Sequence, residues 1–196
     1  MQLIVIAGQA QVGKTTLANM IARNVFKLGM KPTLLSFASP IKKLAAEKGY
    51  SKDKGGKYRE FCQELGNRKR EEDPNYWVNE FEQELKNLID KEAREIQDGR
   101  KFWEYCVITD DCRYLNEMKL CGQYNATIIF LSYGEREVPE ENGEWRSHIS
   151  ESLSNAIAKG DKTYKDLFTH VIINDKGEKD LEEKIQPMIP LWCGIC

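Results

Sequence analysis

The chain has 196 residues, 41% hydrophobic and 31% charged, with 29 Lys and Arg against 31 Asp and Glu for a formal net charge of −2. That length supports one core of ordinary size without staples. The acidic balance does not fit a dedicated nucleic-acid binder, so no stable nucleic-acid complex is expected. No run approaches the length of a membrane span and no charged-then-apolar leader opens the sequence, so the expectation is a cytoplasmic protein without a membrane partner.

Gln2-Leu3-Ile4-Val5-Ile6-Ala7 is a short apolar run of the kind that fills a strand buried on both faces. It leads into Gly8-Gln9-Ala10-Gln11-Val12-Gly13-Lys14-Thr15-Thr16, a full match to the phosphate-cradling pattern G-x-x-x-x-G-K-[ST]. Gly8 lets the chain leave the strand in a tight turn, and Gly13 lets the backbone approach a phosphate with no Cβ in the way. The intervening N–H groups and the start of the next helix point at the anion. Lys14 reaches the β- and γ-phosphates, and the Thr15 hydroxyl is placed for Mg²⁺. A chance glycine-rich turn is the bland alternative, but the strand–loop–helix context is complete. Leu17, Met20, Ile21, Val25 and Leu28 recur at helical spacing, and Gly29 stops them.

Lys31 to Phe37 reads as a second strand with its proline at the start, where a proline is tolerated. Pro40 opens a helix with Ile41, Leu44 and Ala45 on its apolar stripe. Ser51 to Lys57 is a polar loop, and Tyr58 to Leu65 reads as a short helix closed by Gly66. A long helix from Pro74 is carried by Val78, Phe81, Leu85, Leu88, Ile89, Ala93 and Ile96, with its Glu- and Lys-rich face in solvent. Asp98-Gly99 breaks it. Trp103 to Thr109 is an apolar strand ending in Asp110-Asp111, followed by a helix from Tyr114 to Cys121 and a strand from Ala126 to Leu131. Residues 133–147 lack periodicity and read as a loop able to close over a ligand. Val171-Ile172-Ile173 reads as a last core strand, and Leu181, Ile185 and Met188 mark a terminal helix limited by Pro187 and Pro190. Apolar strands alternating with helices predict an α/β fold of three layers, a mainly parallel sheet with helices on both faces.

Phosphoryl transfer asks for positioning and for positive charge around the moving group. Arg59, Arg68, Arg70, Arg113, Arg136 and Arg146 are the candidates, and Arg113 stands out because it lies just past a strand end on the phosphate loop's side of the sheet. Asp110 and Asp111 sit where a metal-binding carboxylate would, and also where an acid would cap the next helix; the two roles can be split between them. His148 and His170 have no ligand-like neighbours at metal spacing. The six cysteines are expected to be free thiols, and Cys193-Gly194-Ile195-Cys196 lacks the second pair a zinc site needs.

Several stretches, in order, resemble motifs of the phage-type deoxynucleoside monophosphate kinases. They are Phe37-Ala38-Ser39-Pro40-Ile41-Lys42, Arg59 to Gly66, Tyr76-Trp77-Val78 and Asp111-Cys112-Arg113-Tyr114-Leu115-Asn116-Glu117. Ser147-His148-Ile149-Ser150-Glu151 and Val171 to Asp175 follow. Where that family commonly reads Asp-Val-Arg-Phe-Pro-Asn-Glu, this chain departs at Cys112, Tyr114 and Leu115. The resemblance implies a single P-loop kinase domain over 1–196, with about 37–100 holding the monophosphate and about 133–150 acting as a lid. It implies ATP and Mg²⁺ as cofactors. Gly8, Ala10, Gln11, Val12, Gly13, Lys14, Thr15 and Thr16 would hold the donor, with Thr15 and Asp110 on the metal. Arg59, Gly66, Asn67, Trp77, Asp111, Arg113 and Glu117 would line the acceptor site, with Phe37, Ala38, Lys42, Gln63, Arg70 and Glu151 around them. Arg59 and Arg113 would take phosphate and Trp77 would supply an aromatic wall. Lys14, Arg113 and either Arg136 or Arg146 would act on the transferring group. The implied reaction phosphorylates (deoxy)nucleoside monophosphates to diphosphates for phage DNA synthesis in the host cytoplasm. A homodimer is compatible with the sequence. Two other readings use the same loop: a kinase acting on a hydroxymethylated base in DNA, and a nucleotide-dependent switch. The Asn174-Asp175-Lys176-Gly177 order is not the guanine-reading one expected of GTPase switches.

Overall fold

The structure, a computed structural model, describes residues 1–9, 11–51, 55–99, 104–133 and 166–195. Five strands, β1 (Gln2–Gly8), β2 (Lys31–Leu34), β3 (Tyr105–Thr109), β4 (Thr127–Ser132) and β5 (His170–Ile173), form one sheet in the order β2-β3-β1-β4-β5. Every pairing among them is parallel, so the sheet is uniform where the sequence predicted it mainly so. The described helices are α1 (Lys14–Lys27), α2 (Ser39–Glu47), α3 (Gly56–Glu72), α4 (Tyr76–Gln97), α5 (Leu115–Gln123), α6 (Glu178–Ile185) and α7 (Ile189–Trp192).

The central strand explains the layering. Its side chains alternate between two faces, and both are covered. Ile4 and Ile6 join Leu17, Ile21 and Val25 of α1 with Leu181, Ile185 and Trp192 on one side. Leu3, Val5 and Ala7 join Phe81 and Leu85 of α4 with Met118 and Cys121 of α5 on the other. A smaller cluster of Ile41, Leu65 and Trp77 ties α2, α3 and α4 to each other. The result is the three-layer α/β arrangement.

Several predicted features differ; the expected terminal helix ends at Ile185, and Met188, as N-cap, and Pro190 belong to the separate α7. The helix expected to stop at Gly66 runs on to Glu72, because Gly66 is buried where α3 meets α2 and α4. A Cβ there would meet Arg70 Nη1 at 3.2 Å and Ile41 Cδ1 at 3.5 Å, so glycine makes room for close packing instead of ending the helix. The strand expected to reach Phe37 ends at Leu34, because Ser36, Phe37 and Ala38 are drawn to the carboxylate of Asp111. The predicted core strand at Val171–Ile173 lies at one end of the described sheet, and only Ile172 is buried while Val171 and Ile173 are exposed. On α4, Ile96 is exposed and Glu92 turns inward. The Glu92 carboxylate accepts the Tyr105 N–H at 2.8 Å and lies 3.2 Å from the Met1 ammonium, fastening the start of β3 and β1 to the helix.

Among the described residues no helix is long and apolar enough to cross a membrane. Cys62, Cys106, Cys112, Cys121 and Cys193 are free. Cys193 packs its thiol against that of Cys106 in the core, which gives the described half of the Cys193/Cys196 pair a structural place.

Candidate functional site

In a parallel sheet all strands deliver their C-terminal ends to one edge, and ligands bind in the crevice there. Gly8, Thr109 and Ile173 end β1, β3 and β5 on that edge, so the segments after them meet above it.

The segment after β1 is bent by necessity. Gly8 has φ 147°, and a Cβ on it would lie 2.2 Å from the Leu131 carbonyl oxygen of β4, so no side chain fits. Gln11 at φ 62° and Gly13 at φ 98° are both left-handed, and Val12 between them buries its side chain in the core. Gly13 is the N-cap of α1 and brings no side chain to cap it, and the first turn carries no acid. The helix start therefore presents its N–H groups and dipole to the crevice, which suits an anion. Lys14 Nζ donates to the carbonyls of Gly8 at 2.9 Å and Gln9 at 2.6 Å, so its ammonium sits inside the loop. Thr16 is half-buried beside it.

The segment after β3 meets this loop. Thr15 Oγ1 donates to Asp110 Oδ2 at 2.5 Å, across the junction of the two central strands. A hydroxyl and a carboxylate converging there are hard oxygen donors of the kind Mg²⁺ takes alongside phosphate oxygens and water. Among the described residues there is no cluster of three or more His, Cys, Asp or Glu able to hold a metal unaided. Thr15 and Asp110 are a donor set that fits Mg²⁺ whose remaining ligands are oxygens from elsewhere.

Asp111 has a different duty. Its carboxylate accepts from Ser36 Oγ, Phe37 N at 3.0 Å, Ala38 N at 2.9 Å and Thr109 Oγ1 at 3.1 Å. Four protein donors converge on it, so Asp111 fastens the β2–α2 turn. The sequence allowed it as a cap of the next helix, but α5 has Tyr114 at its N-cap and Asp111 instead accepts from the turn that leads into α2. Lys42 on α2 is exposed, with Nζ 3.5 Å from Ser36 Oγ.

Beyond Asp111 the loop is held by Glu117. One of its oxygens accepts the N–H groups of Arg113 at 2.7 Å and Tyr114 at 3.1 Å, and the other lies 3.8 Å from Arg70 Nη2. At 2% exposure Glu117 is a wall of the core, so it orients the loop instead of offering itself to a ligand. Burial is the main cause that raises its pKa to about 7, against lowering by the two N–H groups and Arg70. The sign follows from linkage. The folded state holds a proton that the unfolded state has lost between pH 4.5 and 7, so stability falls as pH rises through that window. At about 1.4 kcal/mol per pH unit the loss is on the order of 3 kcal/mol. Glu117→Gln keeps the acceptor oxygen without the charge, and is expected to flatten that slope in urea unfolding at pH 5 to 8. A slope unchanged from the original protein would refute the assignment.

The Arg70 guanidinium lies 4.2 Å over the Tyr114 ring, a cation–π contact that brings α3 onto the β3–α5 loop. The two border a groove of about 410 Å³ lined also by Pro74, Asn75, Leu115, Asn116 and Lys119. Asn116 Nδ2 donates to Pro74 O at 2.8 Å and Asn75 Oδ1 at 3.0 Å, which sets the groove's floor. Arg59, Gln63 and Asn67 are exposed at four-residue spacing on α3, on the stripe that leads toward Arg70. Arg113 is exposed at the loop's rim.

Two aromatic residues expected at the acceptor site are buried in packing contacts. Trp77 is 1% exposed, with Nε1 donating to Gly66 O at 3.0 Å, and offers no face to a base. Phe37 is 3% exposed and stacked on Phe81 at 3.9 Å. Trp77 packs with Ile41 and Leu65 between α2, α3 and α4, and Phe37 belongs to the core cluster of Phe81 and Leu85. Ala38 enters the site region only through its N–H. Ala10, Arg136, Arg146 and Glu151, and all of the expected lid but Tyr133, lie outside the described residues.

Sequence reasoning gave no site role to Tyr114, Asn75, Asn116, Lys119 or Asn174, though Tyr114, Asn116 and Asn174 fall inside the quoted motifs. Asn174 follows β5 on the same edge, and its side chain reaches Val12 of the phosphate loop. A polar residue directly after an apolar strand was the available signal.

No protein-family model matches the chain, and no curated protein sequence does. Solved structures are similar over nearly its whole length. Shikimate kinase from Acinetobacter baumannii in complex with shikimate is 16% identical, with 99% of this chain and 94% of that one covered and a TM-score of 0.48. Shikimate kinase from Bacteroides thetaiotaomicron is 14% identical over 97% of each chain with a TM-score of 0.47. Dephospho-CoA kinase from Campylobacter jejuni is 10% identical over 100% of each with a TM-score of 0.48. Likeness of that degree says nothing of what this chain acts on.

Proposed function

We propose that this chain is an ATP-dependent phosphotransferase whose acceptor is a (deoxy)nucleoside monophosphate, and that it supplies diphosphate precursors for phage DNA synthesis in the host cytoplasm. The observation that carries the reading is the 2.5 Å approach of Thr15 Oγ1 to Asp110 Oδ2. It joins a phosphate loop to a carboxylate at one crevice, the arrangement that Mg-nucleotide chemistry requires. The acceptor side is supported by the groove beside Arg70 and Tyr114, with exposed Arg113 next to Tyr114 in the chain. A cation, an aromatic ring and two amide side chains are suited to a phosphorylated, planar-based ligand. The whole chain would work as one kinase domain, with residues 37–100 shaping the acceptor region and 133–150 closing over it.

In the reaction a terminal oxygen of the acceptor phosphate forms a bond to the γ-phosphorus while the bond to the β,γ-bridging oxygen breaks, leaving ADP. The acceptor is already an anion, so no general base is needed. Mg²⁺ at Thr15 and Asp110 would neutralise charge on the donor phosphates. Main-chain N–H groups of the loop and Lys14 hold the donor, and Arg113 with Arg136 or Arg146 would balance charge on the moving group.

Incubation with labelled ATP and a panel of ribo- and deoxynucleoside monophosphates is expected to give labelled diphosphates, with at least one acceptor turned over at 1 s⁻¹ or faster, roughly the usual range for kinases. Label on hydroxymethylated DNA, or ATP hydrolysis without transfer, would replace this reading with a DNA-base kinase or a nucleotide-driven switch.

A further inference from the structure

The last described strand ends against the first loop. Asn174 follows β5, and its backbone N–H donates to the Ser132 carbonyl at 2.8 Å, which continues the β4–β5 pairing and fixes where the side chain starts. That side chain donates Nδ2–H to the Val12 carbonyl at 2.8 Å. A phosphate cradle works only if its N–H groups converge and its carbonyls point away. Val12 lies between left-handed Gln11 and Gly13, so its peptide could turn either way unless something holds it. Its apolar side chain, fully buried, holds one side of the residue, and Asn174 holds the carbonyl.

Two details argue that the contact is selected for the loop. A Cβ on Gly13 would lie 3.0 Å from Asn174 Nδ2, so glycine at this position admits the amide as well as a phosphate. The other end of the amide, Oδ1, is buried without a hydrogen-bond partner. An unmade buried acceptor opposes folding, so the amide is poorly explained by stability alone. We infer that Asn174 is a positioning residue for the donor site, pinning the Val12 carbonyl outward so that the amides of Gly13 and Lys14 face the phosphate chain.

This rests on the reading of Gly8 to Thr16 as a nucleoside triphosphate site, and the test separates the two. Mg-ATP binding is measured by calorimetry for the original protein, Asn174→Asp and Asn174→Ser, at a temperature where circular dichroism shows each folded. Asp keeps the shape but places an acceptor against the Val12 carbonyl, and Ser is too short to reach it. Both are expected to bind Mg-ATP about tenfold or more weakly, as expected for a lost or reversed hydrogen bond of about 1.4 kcal/mol or more. The Michaelis constant for the monophosphate acceptor is expected to stay within about twofold. Unchanged Mg-ATP affinity in a folded variant overturns the inference while leaving the donor site standing. An equal rise for donor and acceptor also overturns it, since that is what general loosening would give. Should the original protein bind no Mg-ATP, the donor-site reading falls and the inference with it. If Asn174→Asp does not fold, Asn174→Ser decides.

Discussion

Lys14→Ala is expected to lower turnover by about 10²–10³-fold at saturating substrate, the usual loss when one donor to a developing charge is removed. Unfolding is expected to stay almost unchanged. The ammonium donates to the carbonyls of Gly8 and Gln9 in a half-buried loop, and water can replace it there without leaving a buried group unpaired. Lys14→Arg is expected to lose nearly as much activity. A planar fork does not take the place of a compact ammonium between two carbonyls 2.9 and 2.6 Å away. Steady-state ADP release together with a thermal melt measures both quantities. A folded Lys14→Ala protein with undiminished turnover would remove the donor site from this loop.

Glu92→Ala is expected to be the costliest of these changes to stability. Glu92 accepts the Tyr105 N–H and pairs with the Met1 ammonium, and both it and Tyr105 are buried. Removing it leaves a buried N–H unmet and, among the described residues, a positive charge paired with Glu104 at 3.6 Å. A loss of about 3 kcal/mol is expected, at the lower end for breaking a buried pair because Glu104 still compensates in part. For a chain of this size that is a fall of roughly 6–12 °C in Tm. Glu92→Gln keeps the acceptor for Tyr105 and is expected to cost about half as much. A change in urea midpoint no larger than that of a surface substitution would show that the two contacts contribute little.

The loop geometry of the proposed donor half was legible because its determinants are local. Gly8, Gly13, Lys14 and Thr15 each act through a turn, a helix start or a short reach, and spacing along the chain encodes all of these. The proposed acceptor half is set by packing between distant segments. Nothing in the order of residues says that Asp111 will spend its oxygens on Ser36, Phe37 and Ala38, or that Arg70 will lie across Tyr114. Trp77 is an instructive case. It adjoins Val78, Phe81 and Leu85 on the buried stripe of α4, and that stripe pointed to packing, where likeness to a family motif pointed to a ligand. Glu92 carries the same lesson with the opposite sign. It falls seven residues after Leu85, on the stripe itself, and a charged side chain at such a position marks an inward partner to be found.

The order β2-β3-β1-β4-β5 also decides when the molecule can assemble. The first strand to leave the ribosome is the middle of the sheet, and its partners are Cys106 to Thr109 on one side and Thr127 to Leu131 on the other. At roughly 5–20 residues per second, this apolar strand waits on the order of 5–25 s for both neighbours. Until then it has no ladder to join. The loop that follows it takes shape only once β4 has been made, so a nascent chain cut short before residue 131 has no Leu131 carbonyl for Gly8 to turn against.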